Sequence, residues 1–262
     1  MQIHRSLGSL TMALTLGCAL AATLPAASPF AGKWKFNAAK SKLTGITDSV
    51  TAAGPNAWKF TYGTYSWTVK ADNTDQPTPF GSTVALKAVN PTTWQLSDKT
   101  KGKLTATETW VLAPDGKSMV RTSAGKREDG SAFNDVVTMK RTNGDKGFEG
   151  AWESLEVKAT WTDVVIADNG DAGITATVPA DAVTLPLTFD GKESAATGPR
   201  VPAGLTTTTK AAGPRKLEVT SKMNGKILDT ETWEVSSDGK TFTYTELDAG
   251  EKKATVTVFD KL

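Results

Sequence analysis

Glu108-Thr-Trp110 and Glu231-Thr-Trp233 are the places where residue types and spacing suggest chemistry. Side chains two apart on a strand share a face, so each carboxylate lies beside an indole. Each pair precedes a turn, Asp115-Gly116-Lys117 or Asp238-Gly239-Lys240. A four-residue loop from Ala113 to Gly116 predicts Trp110 opposite Met119 and Glu108 opposite Arg121. The second copy then sets Trp233 opposite Phe242 and Glu231 opposite Tyr244. Facing inward, an acid, a base and an aromatic line a cavity and orient a polar ligand. Facing outward, they form an exposed cross-strand ion pair worth about 0.2–1 kcal/mol. Trp67 and Trp94 add aromatic surface that either encloses an apolar ligand or fills a small core. The candidate ligand-binding residues are therefore Glu108, Trp110, Arg121, Trp67 and Trp94.

Other chemistries find no residues. The 262-residue chain has one His, His4, and one Cys, Cys18. That excludes His- or Cys-based triads, disulfides within the chain, zinc sites and His-ligated haem. Two carboxylates can hydrolyse glycosides when about 5–9.5 Å apart, but the sequence singles out no such pair. No catalytic residue, metal-ligand set or cofactor motif is assigned. Asp168-Asn-Gly-Asp171 reads as a hairpin turn rather than a calcium loop. Thirty Lys+Arg against 28 Asp+Glu give a net charge of +2, and the basic residues are scattered. No nucleic-acid partner is expected from that distribution.

These residues sit in a chain written twice. Residues 79–117 align without a gap to 202–240, with 16 identities in 39 positions. The start repeats as well: Phe30-Ala-Gly32-Lys-Trp34 answers Phe148-Glu-Gly150-Ala-Trp152. The division predicted is a leader over 1–29, one unit over 30–143, a polar linker over 144–147 and a second unit over 148–262. Strands are predicted at 32–37, 46–53, 57–63, 64–70, 83–89, 92–98, 103–112, 117–124 and 132–141, with one helical turn within 37–43. About eight to ten short antiparallel strands per unit mean two tandem barrels, or alternatively two β-sandwiches.

His4 and Arg5, the apolar run Leu7–Ala22 and Ala19-Leu-Ala21 form a secretory signal, which predicts release to the periplasm or medium. Leu16-Gly-Cys18 supports an alternative, a lipid anchor at Cys18. No membrane-spanning segment is expected, because the apolar run is short and interrupted.

The G-x-W steps at Gly32–Trp34 and Gly150–Trp152 resemble the lipocalin-like (calycin) group. The closest resemblance is to bacterial exported members opening G-x-W-x-x-N…K-S-K, here Gly32 to Lys42, with a later S-x-D-G-K turn, here Ser236 to Lys240. It covers both units, although the second lacks the N-x-x-K-S-K segment. The resemblance implies antiparallel ligand-holding barrels without a shared catalytic residue. It also implies that a basic residue of the last strand closes the barrel over the G-x-W tryptophan. The assignments it suggests are Arg141 over Trp34 and Lys261 over Trp152. The function expected is a non-catalytic exported binder of a small hydrophobic or amphipathic ligand. The alternatives are an envelope structural or adhesion module binding protein or polysaccharide, and a carboxylate-based hydrolase. Unit one is the better ligand site, and Asn37 and Lys40-Ser41-Lys42 are expected to close over its mouth.

Overall fold

The structure is a computed structural model and describes residues 28–262. The expected export signal, with His4 and Cys18, lies outside the described residues. Two antiparallel ten-stranded sheets, each curled into a nearly closed barrel, form the molecule. Barrels, not sandwiches, are the architecture. The nine strands predicted in the first repeat each fall within a few residues of a described strand, Gln76–Pro77 is an additional short one, and the helical turn is a 3-10 turn at Ala38–Lys40. Alternation sets the faces: in Thr93–Thr100, Trp94 and Leu96 are buried between exposed or part-exposed neighbours. Lys101-Gly102 and Asn224-Gly225 occupy corresponding hairpin tips. All four have positive φ, as tight turns matched to strand twist require.

The two units exchange their first strands. The first barrel runs, in sheet order, from Tyr65–Lys70 through Ala57–Tyr62, Thr47–Gly54, Gly150–Lys158, Ala132–Asn143, Ser118–Lys126, Lys103–Leu112 and Thr93–Thr100 to Thr83–Asn90 and Gln76–Pro77. Its G-x-W strand is Gly150–Lys158, from the second copy. Gly32–Phe36, from the first copy, is inserted in the second barrel between Val164–Asp168 and Thr255–Lys261. The first barrel is therefore built from 47–158, and the second from 32–36 with 164–261. This corrects the division at 143/148.

Local connection explains the exchange. Ala132–Asn143 runs through a short turn into Gly150–Lys158, and consecutive strands pair with each other more often than not. That pairing fills the first barrel's G-x-W place and leaves the second barrel's place to Gly32–Phe36. The N-x-x-K-S-K segment holds the exchanged strand. Asn37 Nδ2 and Lys40 Nζ donate to the Asp260 carboxylate at 2.6 and 2.7 Å. Ser41 Oγ accepts from Val258 N, and Lys42 bridges Val256. The segment thus fastens to the last strand of the second barrel, not over the first barrel's mouth as expected. From there Gly45 N and Ile46 N donate to Ser154 Oγ, which brings the chain to the first barrel.

Exchange also swaps the closures. Arg141 stacks over Trp152, 4.2 Å from the ring centroid, and Lys261 lies over Trp34 at 5.0 Å. Both assignments made from the resemblance are reversed, because each tryptophan sits in the other unit's barrel. Trp34 and Trp152 are fully buried. Their indole N–H groups donate to the Phe30 and Phe148 carbonyls at 2.7 and 3.0 Å, the partner a buried indole needs. Gly150 has φ +137, and a Cβ there would lie 2.2 Å from the Asn143 carbonyl oxygen. Backbone approach therefore requires the glycine of the second G-x-W step, whereas at Gly32 it is the positive φ and the Lys261 side chain that favour glycine.

Candidate functional site

A cavity of about 400 Å³ lies in the first barrel. Phe60, Trp67, Phe80, Val84, Leu96, Val137 and Val157 give it apolar walls. Strand alternation delivers its polar groups. Lys103–Leu112 turns Glu108 and Trp110 inward, and Ser118–Lys126 turns Arg121 and Ser123 inward. Asp48 comes from Thr47–Gly54 and Asp98 from Thr93–Thr100.

The hairpin register differs from the predicted one by two residues. Trp110 opposes Arg121, and Glu108 opposes Ser123. In the second barrel Trp233 opposes Tyr244, and Glu231 opposes Glu246. The reason is at the tip: Ala113 N bonds to Ser118 O, so the closing pair lies one residue later on both sides of the loop. A shift of two keeps every side chain on its face.

Arg121 is the centre of the polar wall. Both terminal nitrogens donate to Asp48: Nη2 to Oδ1 at 3.0 Å, and Nη1 to Oδ2. The guanidinium lies 3.7 Å from the Trp110 centroid, a cation–π stack. Arg121 and Asp48 side chains are only 15% and 17% exposed. Arg121 Nε is buried and has no acceptor. The predicted partner, Glu108, instead accepts from Trp110 Nε1 at 2.8 Å. Asp98 sits diagonally from Glu108 on the neighbouring strand. Burial, reinforced by the Glu108 charge, pushes its carboxyl up to about 7.

Glu108, Trp110, Arg121 and Trp67 all line the cavity, and Trp94 does not. Trp94 is 4% exposed and packs in the core, its ring centroid 4.2 Å from Phe148 and 4.8 Å from Trp58. Sequence reasoning missed Asp48 and Asp98. Asp98 had a signal in the repeat, since Ser221 stands at its place in the second copy. Asp48 had none, because it meets Arg121 across the interior rather than along a hairpin.

No family model, curated protein or solved structure matches the chain.

The second barrel differs at the same positions. Tyr244 replaces Arg121, and Val164, opposite Trp34, replaces Asp48, which lies opposite Trp152. Both members of the ion pair are thus absent together. Trp233, Phe242, Tyr244 and Phe259 pack there, with centroids 5.3–5.9 Å apart between neighbours. The Glu-Trp contact persists: Glu231 Oε2 accepts from Trp233 Nε1 at 2.6 Å, and Oε1 accepts from Ser221 Oγ at 2.8 Å. Beyond it lie three further inward carboxylates that the sequence reading did not single out: Asp229, Glu246 and Asp248. Among the described residues, no helix is long and apolar enough to cross a membrane.

Proposed function

We propose that the protein is an exported, non-catalytic, lipocalin-like carrier whose first barrel binds a small amphipathic molecule. The observation that supports this most is Arg121, held by Asp48 and stacked on Trp110 in the wall of an apolar cavity of about 400 Å³. Ligand sites of this kind have volumes of about 300–1,000 Å³, mostly apolar walls and a few convergent polar groups. The apolar part of the ligand packs on Trp67, Phe60 and Phe80. Its polar group meets the Arg121 guanidinium and Glu108. A cavity in one barrel weighs against the scaffold reading, in which both interiors are filled. The amino-terminal signal supports delivery outside the cytoplasm, with Cys18 anchoring as the alternative destination.

The test is titration with a neutral apolar fluorophore, N-phenyl-1-naphthylamine, read by quenching of tryptophan emission. Saturable binding is expected. The double variant Asp48→Val/Arg121→Tyr copies the second barrel and should weaken polar-headed analogues of the probe roughly tenfold, about 1.4 kcal/mol. Trp233→Phe should leave binding unchanged. Absence of saturable binding by any such probe overturns the reading.

One observation favours a second reading, carboxylate-based hydrolysis. Asp98 and Glu108 share the cavity, and Asp98 stays protonated to about pH 7, as a general acid must. Asp98→Asn separates the two: a carrier keeps its affinity, and a hydrolase loses turnover of a glycoside or ester while still binding it.

A further inference from the structure

We propose that the second barrel carries a divalent-cation site of the calcium class, formed by Asp229, Glu246 and Asp248. Adjacent strands set these acids directly opposite one another: Asp229 opposes Asp248, and Glu231 opposes Glu246. Like charges so placed repel, and something must offset them. Among the described residues, none of the four carboxylates takes part in an ion pair. One ligand oxygen from each of Asp229, Glu246 and Asp248 lies within 4.8 Å of the others. That is the span of one coordination sphere with Ca–O bonds of about 2.3–2.6 Å. An independent feature points to an occupant: Asp229 is 5% exposed, yet its Oδ1 has no hydrogen-bond partner. A buried carboxylate oxygen without a donor is costly unless a cation or a proton meets it.

The donor set is all oxygen, which suits a hard cation rather than zinc or copper. Glu231 accepts from Trp233 and Ser221 and also lies against Asp229, so it adds a fourth acid to the same cluster. From the first barrel, Tyr62 Oη donates to Asp248 Oδ2 at 2.6 Å and orients it. Lys226 offers no charge to the cluster, since its Nζ donates to the Thr64 carbonyl and lies over the Tyr65 ring. Glu251, Tyr244 and Tyr65 are further titratable neighbours, and none is cationic. A carboxylate binds metal only when deprotonated, so protons compete with the metal and binding strengthens with pH. The repeat sharpens the argument: the first barrel has Ala106, Ser123 and Gly125 where the second has Asp229, Glu246 and Asp248. The site thus belongs to one barrel, and it does not depend on the carrier reading of the other.

The full chain, stripped with a chelator, is titrated with Ca²⁺ by calorimetry, and with Tb³⁺ by luminescence excited through tryptophan. One saturable site per chain is expected, with proton release and an upward shift of the melting midpoint that is larger near pH 8 than near pH 5.5. Asp229→Asn should weaken Ca²⁺ at least tenfold, Asp248→Asn likewise, and Asp98→Asn in the first barrel should change nothing. If the two cluster variants do not fold, the wild-type melts decide. Equal midpoints with and without millimolar Ca²⁺ near pH 8 overturn the proposal. So does Ca²⁺ binding that Asp229→Asn leaves unchanged. A gain in stability from Asp229→Asn without any metal effect also overturns it, since protons alone then neutralise the cluster.

Discussion

At the residue scale, Arg121 and Asp48 are more informative as a pair than singly. Both are largely shielded, so removing one leaves an uncompensated charge. Arg121→Ala should cost about 3–5 kcal/mol in urea unfolding. Asp48→Val/Arg121→Tyr should cost far less, because the second barrel tolerates those residues at the same places. Equal losses would show that packing rather than charge holds the site. A pH prediction follows from the acids. Asp98 and Glu246 titrate near 7 in the folded chain against about 4 unfolded, and burial raises Glu231 as well. The native state therefore binds these protons more tightly. Stability from these groups is full below about pH 4 and is lost as pH rises through 7. In metal-free buffer the melting midpoint should fall between about pH 5 and pH 8, and Glu231→Gln should flatten that fall. That Glu108, Trp110 and Arg121 share one face was legible from alternation; that this face points inward was not, and the structure supplies it. Their partners were not legible either. Asp48 and Arg121 are 73 residues apart and meet across a barrel interior that no local register describes.

At the element scale, nearly every strand of the first repeat was legible, because turn residues fix where a strand begins and ends. The exchange of Gly32–Phe36 and Gly150–Lys158 was not legible. The two strands carry the same G-x-W signal, so each fits either barrel, and the pattern specifies a face without specifying a partner. Geometry now does: Arg141 covers Trp152, not Trp34. Trp152→Ala should cost roughly 3–5 kcal/mol, as buried aromatics do. In double-mutant cycles Arg141→Ala should couple to Trp152→Ala by about 0.5–2 kcal/mol and add independently to Trp34→Ala. Coupling to Trp34 instead would restore the unexchanged order.

At the scale of the whole molecule, the exchange makes the repeat units and the folding units different. Residues 47–158 hold every strand of the first barrel, whereas 30–143 lack its Trp152 strand. The fragment 47–158 should melt cooperatively alone. The fragment 30–143 should not, and adding a peptide of 148–158 should rescue it. Contacts across the two barrels tie them further: Tyr62 to Asp248, Lys253 to Glu153, Arg127 to Asp181 and Arg200 to Glu128. Duplication followed by divergence then gives two interiors with different contents, one with an Arg-anchored apolar cavity and one with an aromatic core under a ring of acids. The carrier reading rests on the first, and native mass spectrometry of the full chain purified from its own cells tests it most directly. The account predicts a small-molecule adduct that N-phenyl-1-naphthylamine displaces and that Asp48→Val/Arg121→Tyr loses. The bare polypeptide mass alone, unchanged on adding the probe, would contradict it.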